Sequence, residues 1–458
     1  MTVPAAATAV GADRAEQAGA GFSPTRVLEV ELTEPLPRLD DDGRYGRAWM
    51  LVRLHTEPLG ICVAPLTGPG MDPGQLAALL WRKFGAAVGM RFAAAGLPAP
   101  DTLTADGLTA DPAQWPYLRS RAAVLASAPF ISVVVCTRDR PEQIRKCLGR
   151  LAQQQYPRYE VVVVDNAPTS DALRPVVESQ SGNGAEFRYC VEPRPGLSWA
   201  RNAGIAAAGS DIIAFLDDDD EPDAHWLAAL ADGFARGEQI GSVGGIVLPA
   251  RLDSAVEQLF EEVGGHSKGR GFARETFDKS GPQSPLFPLP PFGVGANMAF
   301  RRAALDRIGG FDVALGAGTP TSAGEDTLAL TLVLLEGFEI IYEPSALMWH
   351  HHRKDMPSLN KQLHGYSVGL TAFYAALLRH RPGAFFGLLR LLPMAGGYLR
   401  GRQEASGGAP GIEDPSPEPP ALVAELDRRA LQGMLNGPRA YLRSRRVQRR
   451  AAVAARTR

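Results

Sequence analysis

The sequence contains few cysteines, and none of them stands in a redox or metal-binding motif. Its four cysteines are Cys62, Cys136, Cys147 and Cys190, and no two of them form a C-x-x-C pair. This usage predicts buried, unreactive thiols in a reducing compartment, and it gives no support to a disulfide framework.

Long apolar runs are also missing. No stretch reaches the roughly 18 uninterrupted apolar residues that a membrane-spanning helix needs. Residues 1–21 are rich in alanine and glycine and lack a basic segment followed by an apolar one, so we expect a disordered lead and no secretory signal. These absences together predict a cytoplasmic protein.

The chain carries no excess charge of either sign. It has 48 Lys and Arg against 50 Asp and Glu, a formal net charge of −2. Nucleic acid is therefore not an expected partner. The length of 458 residues exceeds the size at which a single core stops growing, about 250–300 residues, and predicts more than one domain.

The residue pattern divides the chain into four predicted segments. Residues 1–125 hold the lead, a small α+β module and most of a linker that occupies 96–128. Residues 129–356 form the domain that carries the chemistry, residues 357–403 are helical with a break at Pro382, and residues 404–458 are a linker and an arginine-rich tail. The α+β module is predicted from strands at 27–32, 48–54 and 60–64 and a helix at 75–84.

From Phe130 onward, strands and helices alternate with short connections. This alternation predicts an α/β domain with a mostly parallel sheet and helices on both faces. The expected strands are 131–136, 160–165, 187–191, 211–216, 240–248, 297–300 and a short one at 340–343. The expected helices are 141–155, 172–178, 198–208 and 325–336.

Acidic residues follow the predicted strands at their carboxyl ends, where ligands bind to open α/β sheets. Thr137 and Asp139 follow the first strand, Asp165 ends the second, and the run 217–220 consists of four aspartates. Such a run favours a bound Mg²⁺ or Mn²⁺, which would relieve the repulsion between its carboxylates. The alternative is a solvated acidic turn that caps the next helix. A calcium loop fits poorly, because Pro222 and Ala228 stand where glycine and glutamate are required.

Glycine-rich phosphate loops are missing too, since neither G-x-G-x-x-G nor G-x-x-x-x-G-K-[ST] follows a strand. Phosphate would then be held by a metal and by cationic side chains. Arg201 is a candidate for this role, and an ordinary surface arginine is the alternative.

Two further motifs point to chemistry. Glu325 and Asp326 open a helix after a glycine-rich loop at 309–324, so one of them could act as a general base, or both could simply favour the helix dipole. The run 350–352 consists of three histidines, which could complete a metal shell or form a solvated polar loop.

Taken in order, these motifs resemble the inverting family-2 glycosyltransferases of GT-A fold, over about half of the chain. The matching pieces are Val133–Pro141, Val161–Asp165, Gly196–Gly204, Phe215–Asp219, Gly295–Arg301, Gly309–Asp312, Glu325–Asp326 and Trp349–His350. The resemblance implies a Rossmann-like domain, a small N-terminal α+β module beside it and a C-terminal helical segment. It also implies transfer of a sugar from a nucleotide-diphosphate sugar, a UDP-sugar first of all, to a hydroxyl of a glycan, lipid or small molecule.

The same resemblance implies roles for individual residues. Asp326 would be the catalytic base, with Glu325 beside it. Asp219 would bind Mn²⁺ or Mg²⁺ directly, with Asp217 and His350 as further ligands, and the loop 309–324 would close over the donor. The nucleotide sugar would contact Thr137, Asp139, Asp165, Arg201, Asp217, Asp218, Gly295 and Asn297. The sequence departs from the family at the end of the first strand, which reads Cys-Thr-Arg-Asp. Because the acidic run has four aspartates, the D-x-D motif can be aligned in two registers. Because three histidines follow one another, the assignment of His350 as the metal ligand has two alternatives.

Two other functions stay open at this level. A sugar nucleotidyltransferase also uses acids at strand ends, but it needs a glycine-rich loop where this chain has Thr137-Arg-Asp-Arg-Pro. A non-catalytic carbohydrate-binding protein would have lost its base or its D-x-D motif. The arginine-rich end from Arg439 predicts either a disordered, solvated end or a contact with the inner face of a membrane. The apolar segment 384–394 predicts either a helix that lies at the membrane interface or a helix packed on the catalytic domain.

Overall fold

The computed structural model describes most of the chain. It covers residues 22–40, 42–66, 68, 70–180, 184–262, 264–267, 270–280, 286, 293–390 and 420–456, and in the last helix it describes the side chains of 432–450. The predicted lead at 1–21, the predicted linker at 407–420 up to residue 419, and the helix predicted beyond residue 390 lie outside these ranges.

A small α+β module precedes the large sheet. Strands β1 (Thr25–Glu31), β2 (Arg47–Leu54) and β3 (Glu57–Pro65) form a three-stranded sheet in which β1 and β2 are parallel and β2 and β3 antiparallel. Helix α1 (Pro73–Ala94) begins at a capping box formed by Asp72 and Gln75 and buries Leu80 and Phe84. The predicted N-terminal α+β module is thus confirmed.

The stretch expected to be a linker is partly helical. Helix α2 (Pro116–Ala126) lies within it, and the hydroxyl of Ser120 donates to Asp232 at 2.5 Å across the boundary between module and sheet domain. Arg53 of β2 crosses the same boundary and donates to Asp223 at 2.8 Å. These polar contacts, with the Trp49 and Trp349 rings at 6.4 Å, hold the module against the larger domain.

The large sheet contains nine strands of the described chain. The strands are β4 (Ile131–Thr137), β5 (Tyr159–Asn166), β6 (Glu186–Glu192), β7 (Ile212–Asp217), β8 (Asp220–Pro222), β9 (Ile240–Pro249), β10 (Glu275–Phe277), β11 (Asn297–Arg301) and β12 (Glu339–His350). Their order is β10-β12-β9-β11-β7-β4-β5-β6, with β8 paired to β12. Six of the nine, β4, β5, β6, β7, β9 and β12, point the same way.

Helices cover both faces of this sheet because its central strands are apolar on both sides. In β4, Val133 and Val135 face one apolar cluster and Val134 faces the other. Helices α3 (Pro141–Leu151), α4 (Arg174–Glu178) and α6 (Trp226–Phe234) pack into the first cluster. Helices α5 (Leu197–Ala207), α8 (Arg302–Ile308), α9 (Glu325–Leu335) and α10 (Met356–His380) pack into the second. The predicted α/β fold with a mostly parallel sheet is confirmed.

The strand expected to be short is long. The pattern predicted a strand at 340–343, but β12 runs for 12 residues to His350, with an irregularity between Tyr342 and Leu347. This strand is buried along most of its length and pairs with β8, β9 and β10. Its length carries the histidine run to the tip of β8, which bears Asp220.

The C-terminal helix packs on the catalytic domain. Helix α10 ends at His380, a short helical stretch follows at 384–390, and α11 spans Pro420–Arg456. Tyr441 of α11 is buried and donates to Asp312 at 2.7 Å, while Trp199 donates to Gln448 at 2.7 Å. The arginine-rich end is therefore a folded helix over its described residues, and the alternative of a disordered end is wrong there. Helix α7 (Ala255–Glu262) lies beside the histidine run. Across the described ranges, we find no helix whose length and apolar character would let it cross a bilayer.

Two helical glycines give a matched test of the packing between α5 and β4. A Cβ on Gly204 of α5 would overlap the stiff, buried Val134, whereas a Cβ on Gly149 of α3 would meet nothing within 4 Å. We expect Gly204→Ala to lower the free energy of unfolding by about 1–3 kcal/mol through overpacking. We expect Gly149→Ala to raise it by about 0.5–1 kcal/mol. Urea unfolding measures both, and equal effects would contradict this close packing.

Candidate active site

The acidic turn after β7 is held by groups from the neighbouring strand end. Thr137, the last residue of β4, donates its hydroxyl to Asp218 at 2.6 Å, and Arg140 donates to the other oxygen of Asp218 at 2.9 Å. Burial raises the pKa of Asp218, and Arg140 opposes this effect. The predicted proximity of Thr137 and Asp218 is thus present, and Arg140 is a cation that the sequence analysis did not single out.

A buried arginine joins acids from two elements. Arg201 of α5 donates to Glu325 at 2.8 Å and lies 3.6 Å from the nearer carboxylate oxygen of Asp217. Burial raises the pKa of Glu325 to about 7. The Asp217 side chain is 38% exposed, and partial desolvation raises its pKa to about 6; Arg201 pulls both values down. Arg201 is therefore no surface arginine, because it neutralises part of a dense group of carboxylates.

The expected base belongs to the same group. Asp326 opens α9 and accepts a hydrogen bond from the backbone N–H of Gly295 at 2.8 Å, and the carbonyl of Gly295 accepts one from Arg201 at 3.1 Å. A Cβ on Gly295 would lie 3.0 Å from the Asp326 carboxylate and 3.2 Å from the Arg201 guanidinium. The absence of a side chain at Gly295 therefore lets Asp217, Glu325 and Asp326 gather around one arginine.

A tyrosine from the C-terminal segment lies near these acids. Tyr366 of α10 accepts a hydrogen bond from Gln362 at 2.7 Å. Tyr366 is 43% exposed, and partial desolvation of its hydroxyl, followed by the charges of Asp326 and Asp217, raises its pKa to about 12. No sequence motif marked this residue, because it is the packing of α10 on the sheet that brings it here.

The group best suited to a cation lies one step farther along the acidic turn. Ligand atoms of Asp219, Asp220 and His350 all lie within 4.8 Å of one another, and His350 Nε2 is 3.9 Å from Asp219. Antiparallel pairing of β8 with β12 places Asp220 opposite His350. The structure thus joins Asp219 to His350 as predicted, but it adds Asp220 and leaves Asp217 against Arg201.

Asp220 supplies the physical test of whether a cation fits. One of its carboxylate oxygens is buried with no hydrogen-bond partner among the described residues. Burial and then the charges of Asp217 and Asp219 raise its pKa well above the ordinary value. A divalent cation would offset this cost, and carboxylate oxygens with one imidazole nitrogen suit Mn²⁺ or Mg²⁺.

A second polar group lies at the ends of β5 and β6. Asp165 is buried, accepts a hydrogen bond from the Tyr189 hydroxyl at 2.8 Å and leaves its other oxygen without a described partner. The Arg174 guanidinium lies over the Tyr189 ring at 4.6 Å. Asp139 is exposed, has a φ of 54° and accepts from Thr169 N–H at 3.0 Å, which lowers its pKa. The register pairs Asp165 with Val191, and Tyr189 lies two residues earlier in β6, so strand alternation could have indicated that it shares a face with Val191.

Asn297 does not join the acids. Its side chain is buried, accepts from the Trp226 indole at 2.9 Å and donates to the carbonyls of Ile246 and Ala346 at 2.9 and 2.7 Å. All its hydrogen-bonding groups are used inside the domain, where they fix the start of β11 just after Gly295. The structure therefore gives Asn297 a supporting position instead of a lining one.

The glycine-rich loop at 309–324 is tied to α5. The carbonyl of Ala317 accepts from Leu197 N–H at 2.9 Å, and the carbonyl of Leu315 accepts from the Ser198 hydroxyl at 2.8 Å. Gly316, with a φ of 100°, leaves room for the Glu325 carboxyl group, which a Cβ would approach to 3.2 Å. This loop thus forms one wall of the acid group, and its closure over a donor stays a prediction.

Comparison with known proteins gives a consistent family. Residues 132–309 match the model of the family "Glycosyl transferase family 2". Glycosyltransferase AglE of Haloferax volcanii is 35% identical over 22% of this chain and 34% of its own length. The glucosyl-dolichyl phosphate glucuronosyltransferase of the same organism is 25% identical over 48% of this chain and 68% of its own. The chain thus spans about a third of the first relative and two thirds of the second.

The chain is also similar to a solved structure. The mannosyltransferase PcManGT from Pyrobaculum calidifontis, in complex with GDP-Man and Mn²⁺, is 21% identical, with a TM-score of 0.40 over 81% of this chain and 98% of that one. The family match confirms the resemblance that the motifs predicted.

Replacing Arg201 tests whether it neutralises the buried acids. We expect Arg201→Met to lower the free energy of unfolding by about 3–5 kcal/mol, because Glu325 and Asp217 lose their buried partner. Adding Glu325→Gln should restore part of the loss. Arg150→Met is the matched control, since Arg150 is 53% exposed and its ion pair with Glu221 should contribute under about 1 kcal/mol. Equal losses in urea unfolding for Arg201→Met and Arg150→Met would contradict this role.

Proposed function

Since this chain carries a family-2 glycosyltransferase domain at residues 132–309, we propose that it transfers one sugar from a nucleotide-diphosphate sugar to a hydroxyl acceptor with inversion at the anomeric carbon. The observation that carries this proposal is the shared acid group. Asp217 at the tip of β7 and Asp326 at the start of α9 are linked through Arg201 and Gly295. Acids from separate elements thus meet where donor and acceptor would react.

Asp326 is the proposed general base. It is partly exposed, and its Oδ1 accepts from the backbone N–H and the hydroxyl of Thr327, at 2.6 and 3.2 Å. A carboxylate within hydrogen-bond reach can take the acceptor proton as the oxygen attacks. The new C–O bond forms on the face opposite the departing nucleoside diphosphate, so the configuration inverts. Glu325 holds Arg201 and thereby shapes the site beside the base.

A divalent cation is the proposed cofactor, either Mn²⁺ or Mg²⁺. Asp219, Asp220 and His350 would hold it, and when bound it would supply positive charge against the diphosphate leaving group. Arg140 and Arg353 lie 3.8 and 3.6 Å from Asp219 and could help to hold the phosphates. No glycine-rich loop is present to do so.

The donor base is proposed to lie near Asp165, with a UDP-sugar as the first donor to test. The free oxygen of Asp165 can accept an N–H of a base, and Tyr189 offers an aromatic face beside it. Thr137 and Asp139, at the end of the neighbouring strand, would contact the ribose or base. A guanosine diphosphate sugar also presents N–H donors and is the natural second donor in such a test.

We propose that the protein binds its acceptor at a membrane surface. This location favours an acceptor that is linked to a lipid. The outward face of α11 exposes Leu435 (79%), Leu442 (55%) and Val447 (49%) between arginines. Its buried face, with Tyr441, is already occupied by the catalytic domain. An apolar and basic outer face is the arrangement that binds anionic bilayers from one side.

Asp326→Asn tests the base. We expect transfer to fall by about 10²–10⁴-fold, since proton removal is lost, while binding of the nucleoside diphosphate stays nearly unchanged. Asp306→Asn, at an exposed position of α8, is the control. Retained turnover in Asp326→Asn would refute the assignment.

NMR of the anomeric proton tests inversion, and release of pyrophosphate instead of nucleoside diphosphate would favour a nucleotidyltransferase.

Asp220→Asn tests the cation site through two opposite effects. Without metal, we expect this variant to be at least as stable as the natural protein, because a buried unpaired carboxylate is removed. With Mn²⁺ at a hundred times its dissociation constant, the natural protein should gain about 2.7 kcal/mol and the variant much less. Glu238→Gln, at a residue with a 96% exposed side chain, should behave like the natural protein in thermal unfolding. An equal Mn²⁺ response in Asp220→Asn would count against this site.

Vesicle flotation tests the membrane proposal. Replacing Arg439, Arg443 and Arg446 by glutamine should weaken binding to anionic vesicles by about 3 kcal/mol, roughly a hundredfold. The matched control replaces three exposed basic residues of the N-terminal module, Arg82, Lys83 and Arg119. We expect no binding to vesicles of neutral lipid alone. Equal flotation of both variants would contradict a contact through α11.

A further inference from the structure

A chain of three side chains leads from α7 to the proposed cation site. His352 lies next to Glu261 of α7, with Nε2 at 3.0 Å from the Glu261 carboxylate. The other ring nitrogen of His352 lies 3.0 Å from Nδ1 of His350. His350 Nε2 then points toward Asp219 at 3.9 Å. All three residues of this chain are buried.

Neighbouring rings fix the orientation of the two imidazoles. Phe260 packs edge-on against His352 with ring centroids 4.8 Å apart, and His266 packs against His350 at 4.3 Å. Gly265, at a φ of 50°, passes beside the Glu261 carboxylate, where a Cβ would overlap one of the oxygens. The imidazoles therefore cannot turn to other partners without moving packed groups.

Hydrogen-bond chemistry assigns every proton along this chain when both imidazoles are neutral. An ionised carboxylate only accepts, so Nε2 of His352 must donate to Glu261. The Nδ1 of His352 then carries a lone pair and must accept. Nδ1 of His350 is consequently the donor in the contact between the two histidines, and Nε2 of His350 carries the lone pair that faces Asp219.

We propose that Glu261 and His352 are positioning residues that fix the tautomer of His350, so that its Nε2 is available to a divalent cation shared with Asp219. This rests on the cation site of the proposed function. A carboxylate that orients a metal-binding histidine is common, and its removal typically weakens metal binding by about 10–100-fold. Here a second histidine extends this support by one residue, and four further elements of the described chain, β10, β11, α8 and α9, lie between α7 with Glu261 and β12 with His350.

The same histidines could instead bind an ion of their own. Ligand nitrogens of His266, His350 and His352 lie within 4.8 Å of one another. The observed geometry favours the relay, because the two hydrogen bonds at 3.0 Å already use Nδ1 and Nε2 of His352. A separate metal ion on these three imidazoles would require the bond between His350 and His352 to break.

Nitrogen NMR of the metal-free protein, labelled with ¹⁵N in its eight histidines, tests the tautomers directly. Nε2 of His350 should show the shift of an unprotonated nitrogen, and Nε2 of His352 that of a protonated one, with assignment from single-histidine variants. A protonated Nε2 on His350 would overturn the relay. This measurement needs neither metal nor substrate, so it stands even if the proposed transferase activity fails.

Calorimetric titration with Mn²⁺ tests the consequence. His352→Leu and Glu261→Leu should each weaken Mn²⁺ binding by about 10–100-fold. His352→Asn should retain most of the affinity, because its amide oxygen can accept from His350 in place of Nδ1. His351→Asn is the matched control, since the neighbouring His351 pairs with Glu221 at 2.7 Å and lies outside the relay.

The variants also separate the relay from its rivals. Equal affinity in His352→Leu, His352→Asn and the natural protein would overturn the relay. A metal ion that survives Asp219→Asn but is lost in His266→Asn would show an independent three-histidine site, and it too would overturn the relay. Circular dichroism and thermal unfolding of each variant exclude loss of fold as the cause, with His352→Asn as the variant that keeps the packing polar.

Discussion

Repulsion among buried carboxylates is the constraint around which this site is organised. Asp217, Asp218, Asp219 and Asp220 follow one another, and burial raises the pKa of three of them. The chain offsets part of this cost with Arg201 and Arg140, which bond to opposite sides of the turn. Asp219 lies near Arg140 and Arg353, but Asp220, opposite His350, keeps a buried carboxylate oxygen without a described partner. A cation there would offset the remaining negative charge. The same carboxylates that form the proposed metal site therefore destabilise the protein when no cation is bound.

Arg201 lies between the acids of the two halves of the proposed reaction. On one side of Arg201 lies Asp217, the first residue of the acidic turn 217–220, beside which the nucleotide sugar is proposed to bind. On the other side lie Glu325 and Asp326 at the start of α9, where the dipole of the helix favours negative charge. Gly295 permits this junction, because any side chain there would meet both Asp326 and Arg201. Asp217 and Asp326, the acids of the two proposed halves, are thus linked through one buried guanidinium and one glycine backbone.

The outer parts of the chain support this centre from a distance. The N-terminal module contacts Asp223, just beyond the acidic turn, through Arg53. At the other end, α11 packs through Tyr441 onto Asp312, a residue of a family motif, while its outer face stays apolar and basic. Helix α7 brings Glu261 to His352. In each of these contacts the two residues lie far apart in the sequence. Each contact constrains the orientation of a side chain close to the site.

The sequence alone determined the parts that depend on local pattern. Apolar runs with short connections predicted the α/β sheet, the strand-end acids predicted where a ligand would lie, and the ordered motifs predicted the family. Pairings made by sheet order and helix packing were decided only in three dimensions. Asp220 faces His350 because β8 pairs with β12, which runs far past its predicted end, and Asn297 turns inward because Trp226 and two carbonyls claim its amide. Periodicity reports which face of an element is buried, whereas the partner on that face depends on distant elements, and so the relay from Glu261 to His350 could not be read from spacing.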